Sequence, residues 1–340
     1  MQGGDLQVTS RQEMQGNAAA STRLDISGEV GGPVSISTQA TGTDAQLTVD
    51  GGTMTADLTQ VAGAVTVGAD SHVEAVAGRM LGGGSISSTA MANSVALGST
   101  TGRIQGSVVQ TSAAIAEAES SVTVQYAPAR TDVVATAASN SLNSTSTVGS
   151  TDLSVTQTAI GARTQAAAFV SAGNAWDVQA SAQAMGNNAA ISNQGGSAEV
   201  VAVQDNRTYV RAQAQLSAYD FGGGAAVAYG AGNALQVGQN DVTANIDVTQ
   251  VTNGGVEVIA TFDGTQGYDG AASATAVGNA VVGYACSDCG ANLTVNNSQT
   301  NQDGVSATSA TRVAGAGRAV VSGATATGNS ATFYVSRPSQ

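Results

Sequence analysis

Lysine is absent from this 340-residue chain, so all 11 basic residues are arginine. Proline occurs three times, cysteine twice, histidine once (His72) and tryptophan once (Trp176), while aromatics make up only 4%. Each scarcity removes a class of protein. One histidine and two cysteines leave almost nothing for a transition-metal site or a histidine-based triad. An acidic chain of formal net charge −13 without basic runs repels phosphate backbones, which excludes nucleic acid as a partner. No apolar run approaches the roughly 18 to 20 residues of a membrane-crossing helix. Three prolines without a Gly-x-y period exclude collagen. With 42% hydrophobic residues and thinly spread charge, the chain also lacks the composition of disorder.

What is present is small, uncharged and repetitive. Length alone suggests two or three domains of about 150 residues each, a prior that fails if the chain repeats. It does repeat. A motif of small residue, Gly or small residue, Asn, then Ala, Ser or Asn recurs at Met91–Ser94, Ala138–Ser141, Met185–Asn188, Ala231–Ala234, Val277–Ala280 and Thr327–Ser330. Its asparagines are Asn93, Asn140, Asn187, Asn233, Asn279 and Asn329, spaced 47, 47, 46, 46 and 50 residues apart. A second marker keeps step: Gln110, Gln157, Gln204 and Gln250 each follow the repeat asparagine by 17 residues. In the last repeat the nearest equivalent, Gln299, comes three residues late. Gln15-Gly16-Asn17-Ala18 resembles the marker but stands 76 residues before Asn93. Residues 1–80 are therefore expected to be an irregular N-terminal cap or divergent repeats, 81–330 the regular repeats, and 331–340 a C-terminal strand and tail.

Within each repeat the apolar pattern has period two, as in Val256-Glu257-Val258-Ile259-Ala260-Thr261-Phe262, which predicts strands with one buried face. Glycine-rich punctuation separates them at 82–84, 195–196, 222–224 and 253–255. The alanine-rich segment 112–120 is the one place where a helix competes, against a background of Ser, Thr, Val and Gly that disfavours helix. Three or four strands per period predict an all-β fold, a β-solenoid or parallel β-helix built from repeats of about 46–47 residues. The spacing leaves open whether one period is a single wide coil or two narrower ones.

The repeat markers have a physical reading in that fold. Glycine and asparagine both tolerate φ > 0, so Gly186, Gly232, Gly278 and Gly328 with their asparagines are expected at tight corners. Stacked coil upon coil, the asparagines would hydrogen-bond in a ladder, with the glutamines forming a second one. Abundant alanine fits a thin interior.

Chemistry-bearing groups are sparse. Cys286-Ser287-Asp288-Cys289 is a C-x-x-C without the βαβ context of a redox motif and without further zinc ligands. It reads as a small disulfide loop of an oxidising compartment, Cys286 to Cys289, with an intermolecular bridge as the alternative. No calcium-binding Asp/Gly pattern is present. Glu117 with Glu119, or Asp263 with Asp269, would be the carboxylate pairs of a polysaccharide-cleaving site. Polysaccharide lyases also need basic residues that this chain barely has. No cofactor is expected. Sugar-binding platforms would come from Trp176, Tyr209, Tyr219, Phe221, Tyr229, Tyr268 and Tyr284, whose plainer role is to cover solenoid faces. The segment containing Phe333, Tyr334 and Val335 is an aromatic strand able to cap the stack or add to a partner's sheet edge. The amino terminus, Met1-Gln2-Gly3-Gly4-Asp5, is polar, and the composition favours a mature exported chain behind an added methionine.

The repeated A-x-G-N-A corners, the Cys-Ser-Asp-Cys loop and the ending Thr-Gly-Asn-Ser-Ala-Thr-Phe-Tyr-Val-Ser-Arg-Pro resemble the D-type holdfast anchor proteins of stalked alphaproteobacteria. The resemblance is densest from about residue 160 onward. It implies a non-enzymatic, secreted protein associated with the outer membrane at the cell pole or stalk tip, which helps fasten the holdfast polysaccharide to the envelope. It also implies two protein partners, an A-type amyloid-like fibre subunit and a B-type lipoprotein resembling the curli secretion pore. It carries no catalytic residues. The alternatives are a self-polymerising curli-like fibre subunit and a polysaccharide-active enzyme on a β-helix.

Overall fold

A computed structural model describes residues 4–240, 242–286 and 292–336, and among them there is no helix. The chain winds through coils of parallel strands. The first coil holds β1 (Leu6–Met14), β2 (Ala18–Asp25), the two-residue β3 (Glu29–Val30) and β4 (Val34–Val49). The second holds β5 (Gly52–Ala62), β6 (Thr66–Met80) and β7 (Gly84–Ser99). The third holds β8 (Gly102–Ser112), β9 (Ile115–Ala127) and the start of β10 (Thr131–Ala159). From there strands continue around corners through β11 (Arg163–Asn206), β12 (Tyr209–Asn240), β13 (Ala244–Thr252) and β14 (Val256–Cys286). The described residues end in β15 (Leu293–Asn301), β16 (Val305–Val313) and β17 (Ala319–Ser336).

These strands stack into three faces. The first runs through β1, β5, β8, the end of β10, the end of β11, β13 and β15. The second runs through β2, β6, β9, the starts of β11, β12 and β14, and β16. The third runs through β4, β7, the start of β10, the middle of β11, the rest of β12 and β14, and β17. Among the described residues each face has seven rungs. Axial partners lie 46 to 50 residues apart, so one sequence period is one wide coil. At about 4.8 Å per rung, seven rungs make a stack about 29 Å long.

The alternating pattern explains the faces. Val258, Ala260 and Phe262 are buried while Glu257, Ile259 and Thr261 face outward, and the same alternation holds in every interior rung. Residues 112–120, where helix competed, lie in β8, β9 and the turn between them, with Ala116, Ala118 and Ser120 pointing inward. A helix there would have broken register with Ala166 and Ala168 of the next coil. The interior divides into two apolar cores. One, rich in alanine, lies between the second face and the first half of the third face, with Phe221 and Phe262 meeting edge-to-face at 5.0 Å. The other, rich in Leu, Ile and Val, lies between the first face and the second half of the third.

The stretch 1–80, left open above as cap or divergent repeats, contains β1 to β6, each paired in register with a later coil. The marker-like Asn17 is not a repeat asparagine. It lies between β1 and β2, where its Oδ1 accepts from the Thr66 backbone N–H at 2.9 Å. The true first-coil counterpart of Asn93 is Thr43. The glycine punctuation differs from expectation as well. Gly83 and Gly195 do adopt positive φ, 71° and 84°, whereas Gly222–Gly224 lie within the continuous strand β12.

Candidate functional site

Between the two cores runs a seam of primary amides. Asn93, Asn140, Asn187, Asn233 and Asn279 are all fully buried, as are Gln110, Gln157, Gln204 and Gln250. Each asparagine Nδ2 donates to the Oδ1 of the asparagine one coil later: Asn93 to Asn140 at 2.7 Å, Asn140 to Asn187 at 2.8 Å, Asn187 to Asn233 at 2.8 Å, Asn233 to Asn279 at 2.8 Å and Asn279 to Asn329 at 2.7 Å. Glutamine Nε2 groups donate in the opposite direction, toward the earlier coil: Gln110 to Gln60, Gln157 to Gln110, Gln204 to Gln157 and Gln250 to Gln204, all at 2.7 to 2.8 Å.

The second amide hydrogen ties the faces together. Asn140 and Asn187 each donate to a backbone carbonyl beside the glutamine of the next coil, on Thr158 and Asp205, at 3.0 Å. Gln157 and Gln204 donate back to the carbonyls of Asn188 and Ala234, beside the asparagines of their own coils. Both amide hydrogens are thus satisfied at each interior step, which is what makes a buried polar seam tolerable.

Four ladder members escaped the sequence reading or were only half seen. Gln299 is in register with Gln250 and donates to it at 2.8 Å, the extra residues before it being absorbed ahead of β15. Gln60 donates to Gln12 at 2.8 Å, and Thr43 Oγ1 starts the asparagine ladder by donating to Asn93 at 2.8 Å. Counting back 50 residues from Asn93 and Gln110 would have found Thr43 and Gln60. The signal was hidden because the first coil replaces asparagine by threonine.

The corner glycines serve a different purpose from the one expected. Gly186, Gly232, Gly278 and Gly328 are not among the positive-φ residues. Ala92 and Ser139 occupy the same position in earlier coils, so the backbone there accepts a side chain. In the later coils the constraint is space. A Cβ on Gly232 would lie 2.6 Å from the Gly278 carbonyl oxygen and 2.7 Å from Thr252 Oγ1. The glycines let successive coils close up over the Thr252 and Asn301 side chains.

The remaining sequence candidates fall on the outer surface. Glu117 is ion-paired with Arg163, and Glu119 lies beside Asp70 of the previous coil. Burial, reinforced by Asp70, raises the Glu119 carboxyl above its ordinary range. Asp263 and Asp269 sit on opposite sides of the Gly264–Tyr268 corner, and the Arg318 guanidinium bonded to Asp269 holds that carboxyl low. Neither set forms an enclosed pair. Cys286 is half-buried at the end of β14, while Cys289 lies outside the described residues. Phe333, Tyr334 and Val335 are exposed near the end of β17, opposite Gly283, Tyr284 and Ala285, with the Tyr334 ring stacked on Tyr284 at 5.7 Å. They belong to the outermost rung, which begins at Ala319, rather than to a separate strand.

The aromatics divide by position. Phe221 and Phe262 are core residues, and burial raises the Tyr229 phenol. Tyr209 donates to Glu257 at 2.7 Å. Trp176 and Tyr268 stand 62% and 51% exposed at the corner between the second and third faces, their rings edge-to-face at 6.1 Å. With Tyr126, Pro128, Asn174, Asp220 and Gly222 they line a cleft of about 350 Å³.

A parallel stack sealed by amide ladders defines a β-solenoid repeat protein. The family model described as holdfast attachment protein D matches residues 1–255, and the chain belongs to that family. Membership gives it a role in holdfast attachment at the cell surface, alongside other holdfast components. No curated protein and no solved structure matches it significantly.

Proposed function

We propose that this chain is a non-enzymatic anchor that fastens the holdfast polysaccharide to the outer membrane at the cell pole or stalk tip. The observation that supports this reading is the uninterrupted stack. Every neighbouring pair of coils shares three ladders of backbone hydrogen bonds plus two side-chain steps, both between amides except where Thr43 begins the asparagine ladder, so a pull along the axis is distributed over many bonds in parallel. The A-type fibre subunit and the B-type pore lipoprotein would dock at the end coils, where, among the described residues, β1, β2 and β4 at one end and β15, β16 and β17 at the other carry unpaired strand edges. Phe333, Tyr334 and Val335 place an aromatic strip on one such edge. Deleting the gene tests the reading: holdfast should be made but released into the medium, and cells that stay firmly attached would sink it.

One observation favours the second reading, a self-polymerising fibre subunit. The last coil offers an Asn329 donor and the Gln299 Oε1 acceptor, while the first coil offers the Thr43 acceptor and the Gln12 donor. These ends are complementary in polarity. Negative-stain images of purified protein at rising concentration separate the two: discrete particles support the anchor, and unbranched fibres support the subunit.

A further inference from the structure

The corner cleft has the construction of a binding site rather than of a covered edge. Two rows of outward residues run along the solenoid axis there, two positions apart on each rung. The first row is Tyr126, Asn174, Asp220 and Gln266, joined as successive register partners. The second is Trp176, Gly222 and Tyr268, bracketed by the partner sets Ala175, Phe221, Gly267 and Asp177, Gly223, Asp269. Residues at i and i+2 share a strand face, so the rows stand side by side with a trough between them. The buried Phe221 forms its floor.

The aromatic wall is held in place. Gly222 leaves the gap into which the indole folds, since a Cβ there would lie 2.8 Å from Trp176 Cδ2 and 2.9 Å from its Cε3. The Arg318 guanidinium sits 5.6 Å from the Tyr268 ring centroid, and Arg79 sits 4.7 Å from that of Tyr126. Leaving the only tryptophan of the chain 62% exposed gives up burial that the core could have used.

The polar wall completes the chemistry. Among the described residues the ion pairs of this corner are Arg318 with Asp269, Arg130 with Asp132 and Arg79 with Glu29, which leave the Asp220 carboxylate without a cationic partner. Asn174 and Asp220 are both exposed and offer an amide and a carboxylate to a hydroxyl-bearing ligand. An unneutralised carboxylate on a chain of net charge −13 repels anionic sugars. Flat apolar faces next to a few hydroxyl-binding groups suit the C–H face and the equatorial hydroxyls of an uncharged pyranose. The rung spacing of about 4.8 Å is close to the length of one sugar unit in an extended chain.

We propose that this cleft binds a neutral pyranoside chain laid along the solenoid axis, with Trp176 and Tyr268 as stacking platforms and Asn174 and Asp220 as hydroxyl partners. The site rests on the anchor reading, for which it supplies the point of polysaccharide contact.

Because Trp176 is the single tryptophan, its fluorescence reports this cleft alone. The full chain is titrated to millimolar concentration with cellohexaose, chitohexaose, mannohexaose and maltohexaose as neutral probes, and with oligogalacturonate as the anionic one. At least one neutral probe should shift or quench the emission, and oligogalacturonate should not. Tyr268→Ala, which keeps the fluorophore, should weaken that binding by about tenfold, the equivalent of one stacking contact. Calorimetry should show Trp176→Ala losing it, Trp176→Phe retaining part of it, and Val201→Ala, on the first face and away from the cleft, unchanged. All three substituted positions are partly exposed, so unchanged circular dichroism serves as the folding control. Silence with all four neutral probes, equal binding of oligogalacturonate, or full binding by Trp176→Ala overturns the proposal. If the sugar titration fails while gene deletion still sheds holdfast, the cleft is refuted and the anchor reading stands.

Discussion

Replacing Asn187 by alanine should open the middle of the stack, whereas the same change at Asn329 should scarcely be felt. Asn187 accepts from Asn140 Nδ2 at 2.8 Å and donates to Asn233 Oδ1 at 2.8 Å and to the Asp205 carbonyl at 3.0 Å. Its removal strands a buried donor and a buried acceptor and weakens a third group. A stranded buried polar group costs about 1–3 kcal/mol, so the loss comes to about 3–5 kcal/mol. At Asn329, an exposed residue of the last rung, the 2.7 Å bond from Asn279 and a long 3.4 Å bond to the Gln299 carbonyl are lost, and water can replace both. That change should cost about 1 kcal/mol or less. Coils open locally, so hydrogen–deuterium exchange is the fitting assay. Amides around Asp205 and Asn233 should exchange about 150- to 4000-fold faster in Asn187→Ala. Equal acceleration by the two variants, or less than tenfold for the interior one, would refute the view that satisfied amides hold the seam.

The other predictions concern space and protonation. Gly232→Ala drives a Cβ against the Gly278 carbonyl and Thr252 Oγ1, so urea midpoints should report a loss of about 1–3 kcal/mol; a neutral result would mean the coils have slack. The Asp269 carboxyl, held low by its hydrogen bond to Arg318, should titrate by NMR below 3.8. Its stabilising contact is therefore complete above that value and lost only as pH falls through the lower folded-state midpoint, and a midpoint at or above 3.8 contradicts the pairing. Glu119 has the opposite sign: burial and then Asp70 raise it above 4.5, so its penalty is present at neutral pH and relieved on acidification. Glu119→Gln should accordingly raise the urea midpoint at pH 7, and a lowered midpoint would show that the carboxylate is favourably engaged.

The regular coils were legible because their signals are periodic. Asn93 to Asn279 and Gln110 to Gln250 recur at the spacing that register demands, and alternation in segments such as 256–262 separates inward from outward residues. Spacing alone could not say whether a period is one coil or two, since either would align the markers; only the pairing of β7, β10 and β11 decides it. The first coil was hidden by Thr43, whose single hydroxyl donor goes to Asn93 and leaves none for the second, carbonyl-bound hydrogen that the asparagines carry, so a different residue type stands there and the motif ends. The corner glycines were misassigned because glycine allows both positive φ and close approach, and sequence does not distinguish them. The cleft was invisible for a related reason. Tyr126, Asn174, Asp220 and Tyr268 are spread over more than 140 residues and share no motif, becoming neighbours only once four coils are stacked.

A buried polar seam needs a reason, because apolar packing of the same volume would often be as stable. Register supplies one. The two apolar cores are tolerant, since Ala, Val, Leu and Ile exchange places from coil to coil at equivalent positions. Greasy strands of similar pattern can slide by two residues and still bury an apolar face. The amide steps forbid that slip. A shift of two residues at β11 would leave Asn187 beside Leu142 or Ala138 rather than Asn140, with both of its amide groups unpaired in a dry interior. The cost recurs at the glutamine ladder, because both ladders belong to the same coils. Their opposite donor directions add a further constraint, since no reversed coil could satisfy both. The seam is thus best understood as the device that selects one stacking among many near-equal ones, and an aligned stack is what sets Trp176 over Gly222 and within reach of Tyr268.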